Sequence, residues 1–369
     1  MHYLFFTNTP AHVHMYKHVI RKLQQRGHQT SILARDYGCT IALLDWEELD
    51  YTVYGSCGTD RRSLFKQLPG HYYHIARTVR RLDPDLIFGM GAYGAHAGLL
   101  SRTPSVLVLD SEPTSLDHAI STPFARVILT PSAFRKDLGE SHYTFEGFKE
   151  SAYLHPSVFD PDPTIRDDLG VGPDEQYVIL RLNAFGSHHD VGRDGLTPEV
   201  RGPLIERLAE HATVFVSDED DSLDFSTLPA RPFDLHPAKL HDALAEASVL
   251  VADTQTMVTE AALLGTPAIR SNSFVGEDDM GNFLELERAG LIVNLRDATE
   301  IVDRAISLLA DDETGSTWRQ RRDAYVKDMV NLTDILVEVA ESFETVESVS
   351  HLRPARLRAE QTRGGKNVG

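Results

Sequence analysis

The sequence predicts an α/β protein with two parallel sheets covered by helices, because strands and helices alternate along most of the chain. Short apolar runs of strand length follow amphipathic stretches of helical length, and a segment rich in proline and aspartate interrupts this alternation near the middle. The chain of 369 residues is also longer than a single hydrophobic core usually allows. We therefore expect two domains.

The N-terminal half is predicted to begin with a strand, after which Asn8-Thr9-Pro10 turns the chain into a helix that ends at Gly27. A long amphipathic helix ends at Asp83-Pro84, and three further buried strands follow it. The pattern predicts strands at 3–7, 30–34, 51–54, 86–88, 105–109 and 127–129, and helices at 13–25, 61–81 and 95–101, with 43–49 between strands.

The C-terminal half repeats the alternation after the interruption. Strands are predicted at 177–180, 214–216, 249–252 and 268–269, with a helix at 257–264 and mostly helical chain over 317–346. The last residues are polar and lack periodicity, which is typical of disorder. We expect an N-terminal domain at 1–155, a linker at 156–173, a C-terminal domain at 174–330, a closing helix at 331–349 and a disordered tail at 350–369.

Composition excludes several classes of protein. With 55 acidic and 36 basic residues, the net charge is −19, which argues against nucleic-acid binding. The basic residues are mostly arginines, and an acidic, lysine-poor surface suggests a halophilic source. Two cysteines are too few for a disulfide framework or a thiolate metal site. Because no run resembles a signal peptide or reaches membrane-spanning length, we expect a cytoplasmic protein.

Residues 247–272 are the most informative segment. A predicted buried strand leads into the polar turn Asp253, Thr254, Gln255 and Thr256, and a short helix follows that ends at Gly265. The N–H groups at the start of such a helix suit a phosphate, and Glu260 can accept hydrogen bonds from a ribose diol. The alternative is a plain βαβ unit with Glu260 on a solvated helix face. The turn and the acid together favour nucleotide binding.

Two sequence runs carry a resemblance to known proteins: EAALLGTPAI at 260–269 and TNTPAHVHMYK at 7–17. The chain resembles the GT-B fold group of sugar-nucleotide glycosyltransferases and UDP-N-acetylglucosamine 2-epimerases, and more closely a largely archaeal family of unknown function related to them. The resemblance implies two Rossmann-like domains facing a cleft, with a C-terminal closing helix. It also implies that Glu260 holds the ribose of UDP, that the turn at 253–256 meets the diphosphate, and that neither a metal nor a cofactor is required.

A second constellation follows the first strand of the C-terminal half. Arg181 offers a fixed charge and a fork of donors for phosphate, while His188 and His189 can exchange protons near neutral pH. The epimerases carry a His-Arg pair in this region, so the resemblance implies phosphate or catalytic contacts here. Alternatively, His188, His189 and Asp190 bind a metal, with His12 and His14 as further candidate ligands, or the loop is merely solvated. Arg270 is a further candidate for the cleft.

The run Gly89-Met90-Gly91-Ala92-Tyr93-Gly94 matches the dinucleotide fingerprint G-x-G-x-x-G, with Asp110 at the end of the next strand. This match suggests an NAD(P) oxidoreductase. However, the following helix is short and the motif follows a later strand rather than the first. We interpret Gly91 and Tyr93 instead as a tight crossing where an acceptor or sugar approaches the backbone.

The residues of the same loop help to distinguish a transferase from an epimerase. The resemblance implies an aspartate here for proton abstraction in the epimerases, but this chain has Ala92 or Tyr93. The nearby candidates for general acid–base work are Asp110, Glu112, Asp117 and His118. Asp117 is alternatively a helix N-terminal charge, and His118 a surface residue. Sugar transfer in polysaccharide or glycoconjugate synthesis, onto a sugar or lipid-linked acceptor, is the first hypothesis. A 2-epimerase is the second, and a non-catalytic sugar-nucleotide-binding protein the third.

His12 and His14 lie where the first predicted strand meets its helix, so they are expected to face the cleft. Either one is a candidate contact for donor or acceptor sugar, and structural capping is the alternative. Lys149 and Glu150 precede the predicted linker and are also candidates for the cleft. The sequence leaves the orientation of their side chains open.

Overall fold

The computed structural model describes residues 1–56, 61–182, 196–218, 223–272, 275–276 and 279–356. The chain divides into two compact units, Met1–Ser157 with Asp328–Gly369, and Val158–Lys327. Each unit contains a parallel sheet covered by helices, so the predicted α/β class with two parallel sheets is confirmed. No helix in the described ranges is long and apolar enough to cross a membrane.

The first unit is built on seven parallel strands, to which Arg353–Pro354 adds an antiparallel edge. The strands are β1 His2–Thr7, β2 Gln29–Asp36, β3 Thr52–Ser56, β4 Leu86–Gly89, β5 Ser105–Val108, β6 Val127–Pro131 and β7 His142–Phe145. The helices are α1 Pro10–Gln25, α2 Thr40–Trp46, α3 Arg61–Leu82, α4 Ala92–Ser101, α5 Ser115–Ser121 and α6 Ser151–Leu154. The strand order is β3-β2-β1-β4-β5-β6-β7.

The second unit is built on six parallel strands in the order β10-β9-β8-β11-β12-β13. These strands are β8 Tyr177–Leu182, β9 Thr213–Asp218, β10 Arg231–Pro232, β11 Val249–Ala252, β12 Ala268–Arg270 and β13 Ile292–Asn294. The helices are α7 Ile165–Leu169, α8 Pro198–Ala209, α9 Leu240–Glu246, α10 Thr256–Leu264, α11 Gly281–Arg288, α12 Ala298–Ala310 and α13 Thr314–Val326. Helix α14, Leu332–Ser342, returns to the first unit and packs on α1.

Both sheets follow the doubly wound order in which the chain starts in the middle and turns back once. The reversal falls between β1 and β4 in the first sheet and between β8 and β11 in the second. Ligands of such sheets bind outside the carboxyl ends of the strands at this reversal. The fold therefore predicts two candidate ligand sites. One is formed by the loops after β1 and β4, and the other by the loops after β8 and β11.

Two helices begin earlier than the sequence predicts. Helix α1 starts at Pro10 rather than residue 13, because the first helical position needs no backbone N–H and tolerates proline. Helix α4 starts at Ala92 rather than residue 95, immediately after Gly91, whose φ of +94° suits glycine best. Residues 10–12 and 92–94, which were predicted to lie in loops, therefore belong to helices.

Two segments differ from their predicted roles. The predicted linker at 156–173 contains α7, which belongs to the second unit. Within the predicted disordered tail, Arg353–Pro354 pairs with β7 through the backbone, so the tail is ordered at least at that point. The chain beyond residue 356 lies outside the described residues.

Candidate functional site

The carboxyl ends of β8 and β11 lie side by side in the second unit. Arg181 and Ala252 are register partners, and the N–H of Asp253 donates to the carbonyl of Arg181 over 3.4 Å. The polar turn predicted from the sequence therefore follows directly at the edge of the sheet, and α10 begins from it. This arrangement matches the position where doubly wound sheets bind phosphate groups.

Asp253 shapes this turn from inside the protein. Its side chain is buried, its Oδ2 accepts the N–H of Leu196 over 3.3 Å, and its carbonyl accepts Nδ2 of Asn272 over 3.1 Å. Buried polar groups with such partners hold a backbone conformation. Asp253 therefore orients the turn rather than presenting a charge to a ligand.

The next three residues are the more accessible part of the turn. Thr254, Gln255 and Thr256 are half-buried. Gln255 is the N-cap residue of α10, and its side chain makes no capping hydrogen bond. The buried Oγ1 of Thr254 has no hydrogen-bond partner within the described residues. A turn with an uncapped helix start and a spare hydroxyl offers several donors to an anion.

Arg181 supplies positive charge at the same edge. It is half-buried, and its Nη1 donates to Oγ of Ser217 on the neighbouring strand β9 over 2.6 Å. This bond holds the guanidinium near the end of β8. The predicted phosphate contact of Arg181 stays a prediction.

Glu260 is buried, so the alternative interpretation, which places it on a solvated helix face, is wrong. Its side chain and that of His241 on α9 are both buried, and Oε1 lies 3.0 Å from Nε2 of the imidazole. The ring of Phe159 meets His241 edge-on at 6.2 Å. His241 was not predicted as a site residue, because a contact between two helices leaves no local pattern in the sequence. The predicted ribose contact of Glu260 stays a prediction.

Arg270 is not a cleft residue in this structure, contrary to expectation. Its fully buried guanidinium forms a bidentate ion pair with Asp279, at 2.5 and 3.1 Å, and lies 3.8 Å from the centre of the Phe283 ring. Nη1 also donates to Oδ1 of Asn294 over 3.2 Å. With its charge neutralised in the interior, Arg270 has a structural role.

His188, His189 and Asp190 lie outside the described residues. Their predicted phosphate or catalytic contacts and the alternative metal site stay predictions. Among the residues that the structure does describe, no group of three or more His, Cys, Asp and Glu side chains could hold a metal ion.

In the first unit, Asp110 follows β5 and forms an ion pair with Lys149, which also lies 3.3 Å from Oε1 of Glu150. Burial opposes the lysine charge, but the carboxylates of Asp110 and Glu150 outweigh it and raise the pKa of Lys149 above its usual value. Lys149 is therefore a permanent cation beside Asp110. The structure thus settles the orientation of this lysine, which the sequence left open.

His12 belongs to the same electrostatic environment. The N–H of Asn8 donates to its Nδ1 over 3.2 Å. Burial first, and then the charges of Lys149 and Arg35, lower the pKa of His12 to about 3. Because Nδ1 accepts a hydrogen bond, the neutral ring bears its proton on Nε2. His12 is thus a neutral donor rather than a base near neutral pH.

His14 is buried two residues further along α1, and its ring lies 5.3 Å from that of Tyr153. This packing points the imidazole at α6 of the same unit. His14 is therefore part of the packing between α1 and α6, and it is not among the accessible residues of the sheet edge.

The loop between β4 and α4 holds a carboxylate. Oδ1 of Asp117, from α5, accepts the N–H of Ala92 over 3.2 Å, and a Cβ on Gly91 would lie 2.6 Å from its Oδ2. The start of α4 is therefore occupied by a negative charge, where the dinucleotide interpretation requires a pyrophosphate. A Cβ on Gly89 would lie 3.0 Å from the Cα of Gly94, so these glycines serve a close strand–helix crossing.

Glu112 and His118 are both buried. Oε1 of Glu112 accepts the N–H of Arg135 over 3.2 Å, and Nε2 of His118 lies 2.9 Å from Oγ1 of Thr114. Burial, followed by the charge of Lys136, lowers the pKa of His118. The alternative that places His118 on the surface is wrong, and both side chains mainly secure the chain after β5.

Tyr93 lies at the same edge as part of an aromatic group that was not predicted from the sequence. Its hydroxyl is 2.8 Å from Nδ1 of His71 on α3, whose Nε2 is 2.9 Å from the carbonyl of Ser56. The Tyr54 hydroxyl donates to Oδ1 of Asn8 over 2.8 Å. These bonds connect the ends of β1 and β3 with α3 and the start of α4 through mostly buried side chains.

The chain belongs to the family described as "protein of unknown function (DUF354)", whose profile matches residues 2–344. No curated protein matches the chain. Among solved structures, it is similar to S. aureus MnaA in a co-structure with UDP, at 10% identity and a TM-score of 0.68, over 94% of this chain and 97% of that chain.

Two further solved structures have the same fold. The UDP-GlcNAc 2-epimerase from Neisseria meningitidis bound to UDP-GlcNAc is 12% identical with a TM-score of 0.63, over 92% of this chain and 100% of that one. MurG from Acinetobacter baumannii is 18% identical with a TM-score of 0.56, over 92% of this chain and 99% of that one. At these identities the likeness shows the GT-B fold, which the sequence resemblance implied.

Proposed function

We propose that this protein is an enzyme that binds a nucleotide sugar, with a UDP-linked sugar as the donor, and transfers the sugar to an acceptor hydroxyl. The main support is the edge of the second sheet, where Arg181, the half-buried turn at 254–256 and the uncapped start of α10 lie together. Fixed positive charge and backbone N–H groups at one point suit a diphosphate. Two proteins of the same fold are described with UDP and UDP-GlcNAc bound.

A candidate general base lies in the first unit. Asp110 lies at the carboxyl end of β5 beside the Lys149 cation, and its side chain is 18% exposed, so an incoming hydroxyl can reach it. A carboxylate in that position can accept the proton of a hydroxyl that attacks the sugar. Lys149 then stabilises the negative charge that develops on the attacking oxygen.

Epimerisation at C2 is the second candidate, and one observation favours it. The resemblance implies an aspartate in the loop where this chain has Ala92, but the carboxylate of Asp117 reaches that loop from α5. An acid supplied from another helix could abstract the same proton. The dinucleotide alternative lacks such support, because Asp117 occupies the helix start that a pyrophosphate would need.

The first experiment is a ligand screen by thermal shift with UDP, UDP-GlcNAc, GDP-mannose and NAD. A ligand that binds only the folded state raises the melting temperature. We expect UDP and UDP-GlcNAc to do so, with and without chelator, because the proposed site uses Arg181 and backbone N–H groups rather than a metal. Stabilisation by NAD alone would contradict the proposal.

The second experiment incubates UDP-GlcNAc with the protein in D2O and follows both sugar and phosphate by NMR. Transfer or hydrolysis releases UDP, with the C2 proton retained. Epimerisation leaves the diphosphate linked and introduces deuterium at C2. Binding without either change, with acceptor sugars supplied, would instead support the non-catalytic alternative.

A further inference from the structure

The first unit contains a pocket between the end of β3 and the first half of α3. Its strand side consists of Asp36 and residues 53–56, and its helix side consists of α3 residues between Lys66 and His74. We name it the β3–α3 pocket. It encloses about 510 Å³, and sites for small ligands typically enclose about 300–1,000 Å³. None of its residues was predicted as a site residue from the sequence.

The floor of the pocket is a buried, neutral imidazole. Nε2 of His71 lies 2.9 Å from the carbonyl of Ser56, and Nδ1 lies 2.8 Å from the hydroxyl of Tyr93. A carbonyl can only accept, so Nε2 bears the proton and Nδ1 accepts from Tyr93. Burial lowers the pKa of His71. A Cβ on Gly55 would collide with this ring, so the floor depends on glycine at that position.

The helix side of the pocket has a gap between two basic side chains. Lys66, Gly70 and His74 are all exposed and follow one another at intervals of four, so they form one stripe along α3. A Cβ on Gly70 would meet no other atom within 4 Å, so packing does not require glycine here. Glycine also destabilises a helix interior relative to alanine. Its effect in this structure is to leave space between Lys66 and His74.

The charge of α3 favours an anion in this space. The helix contains six Lys and Arg residues and neither Asp nor Glu, although the whole chain has 55 acidic and 36 basic residues. Arg77, Arg80 and Arg81 are exposed on its later turns. Among the described residues, neither Lys66 nor His74 forms an ion pair with a carboxylate. Lys66 therefore offers an ammonium group, and His74 a ring N–H, to a negatively charged group.

The strand side of the pocket has different chemistry. Asp36 is exposed at the end of β2 and supplies a carboxylate, which can accept hydrogen bonds from hydroxyl groups. Val53 is 46% exposed and supplies an apolar surface. A small inorganic anion would contact only the helix side. A ligand that carries both hydroxyl groups and a negative charge would contact both sides.

We propose that the β3–α3 pocket binds an anionic sugar, which is a monosaccharide unit with a carboxylate or a phosphate group. The negative group lies between Lys66 and His74, and hydroxyl groups donate to Asp36. The pocket is separate from Asp110, because β3 and β5 are four strand positions apart in the sheet, roughly 19 Å. In the proposed transferase such a sugar would be a part of the acceptor remote from the reacting hydroxyl, and this last step alone rests on the proposed function.

The test is isothermal titration of the full-length protein, without nucleotide, with four compounds: glucuronate, glucose 6-phosphate, glucose and inorganic phosphate. We expect at least one of the two anionic sugars to bind about tenfold more tightly than both glucose and inorganic phosphate, because only an anionic sugar contacts both sides of the pocket. The tighter of the two anionic sugars identifies the carboxylate or the phosphate as the preferred group.

Three variants place this binding in the pocket. Gly70→Leu fills the gap and should abolish binding, while the melting temperature stays the same or rises because leucine favours a helix. Lys66→Gln should weaken binding about tenfold. Arg77→Gln is the matched control, since it removes the same charge from an exposed position of α3 outside the pocket, and it should leave the affinity unchanged. UDP affinity should be the same in Gly70→Leu as in the wild type.

Several results would overturn the proposal. Wild-type protein that binds neither anionic sugar would do so, as would inorganic phosphate that binds as tightly as either sugar. Equal weakening by Lys66→Gln and Arg77→Gln would show a general attraction to α3 rather than a site. Loss of UDP binding in Gly70→Leu would make the pocket part of a nucleotide site. Because the sugar titrations contain no nucleotide, failure of the sugar-nucleotide proposal would leave their result unaffected.

Discussion

Glu260 and His241 form a buried pair, and this pairing limits how the carboxylate can serve a ligand. Oε1 of Glu260 is already 3.0 Å from the imidazole Nε2, and both side chains are almost inaccessible. The hydroxyl groups of a ribose would have to donate to the same carboxylate that already contacts His241. His241 would then be a positioning residue that orients Glu260 on α10.

The first prediction tests that role with Glu260→Gln. The amide oxygen can still accept from His241, so we expect the variant to remain folded. Charge-assisted hydrogen bonds contribute about 1.5–3 kcal/mol against roughly 1 for neutral ones. UDP should therefore bind roughly tenfold more weakly, a change of about 1.4 kcal/mol. Isothermal titration with UDP and 2′-deoxy-UDP measures this, and the substitution should affect the ribose nucleotide more.

A matched variant, His241→Asn, keeps a donor but shortens the side chain. If His241 positions the carboxylate, this change should reduce the preference for ribose over deoxyribose in the same direction as Glu260→Gln. Unchanged UDP affinity in both variants, with a lower melting temperature, would show that the pair only joins α9 to α10.

The second prediction concerns the pH dependence that His12 imposes on stability. Burial first, and then Lys149 and Arg35, lower the pKa of His12 to about 3, whereas an unfolded histidine titrates near about 6.5. The unfolded state therefore binds more protons between these values. The contribution of His12 is fully present above about pH 6.5 and is lost as the pH falls towards 3.

His12→Asn tests this assignment, because Oδ1 of asparagine can replace Nδ1 as the acceptor for the Asn8 N–H. Urea unfolding between about pH 7 and pH 4 should show a shallower loss of stability in the variant, by up to about 1.4 kcal/mol per pH unit for one proton. His211→Asn, at an exposed position, is the control and should retain the wild-type slope. Equal slopes in all three proteins would contradict the assignment.

At the scale of elements, α4 and α5 share one carboxylate. Asp117 lies on α5, but its Oδ1 accepts the first N–H of α4 at Ala92. A short side chain that accepts from a helix start stabilises that helix. The position also places the only acid of α5 at the loop that the epimerase hypothesis needs. Capping and catalysis therefore make different demands on the same residue.

The third prediction separates the two roles. Asp117→Ala removes the acceptor and should lower the free energy of unfolding by about 1 kcal/mol. Asp117→Asn keeps an acceptor oxygen, so its stability should lie close to that of the wild type. If Asp117 is the base of an epimerase, both variants lose deuterium incorporation at C2 of UDP-GlcNAc. Incorporation that survives in Asp117→Asn would restrict Asp117 to the cap.

The sequence predicted elements best where apolar strands are continuous and least where polar side chains are buried. Strands β1, β4, β5 and β11 follow their apolar runs closely. Strand β7 was not predicted, because its sequence HYTF looks half polar, although both His142 and Thr144 are buried. Oγ1 of Thr130 lies 2.8 Å from Nε2 of His142, which makes that burial tolerable.

The parts of the candidate site that were predictable are those formed by residues close together in the sequence. The turn at 253–256 and the start of α10 could be located because strand, turn and helix follow one another in sequence. The partners of Arg270, Asp110 and Glu260 could not, since Asp279, Lys149 and His241 are chosen by packing between elements. In the sequence, a charged residue that follows a strand has the same pattern whether its side chain binds a ligand or pairs with a buried side chain.

At the scale of the whole molecule, the two units differ in how the chain builds them. The second unit is one continuous stretch, Val158–Lys327, with its own six-stranded sheet and hydrophobic core. The first unit needs both ends of the chain, because α14 packs on α1 and the Tyr3 hydroxyl donates to the carbonyl of Ala340 over 3.1 Å. Lys22 and Asp334 add an ion pair at 2.6 Å between the same helices.

The fourth prediction follows from this difference. A fragment of residues 158–327 should fold alone and retain UDP binding, because it contains Arg181, the turn at 254–256 and α10. A fragment of residues 1–157 lacks α14, so α1 and the neighbouring α6 lose their cover and we expect it to be unstable. Circular dichroism and the shift in melting temperature with UDP measure both properties. UDP binding by residues 1–157, but not by a folded 158–327 fragment, would move the nucleotide site to the first unit.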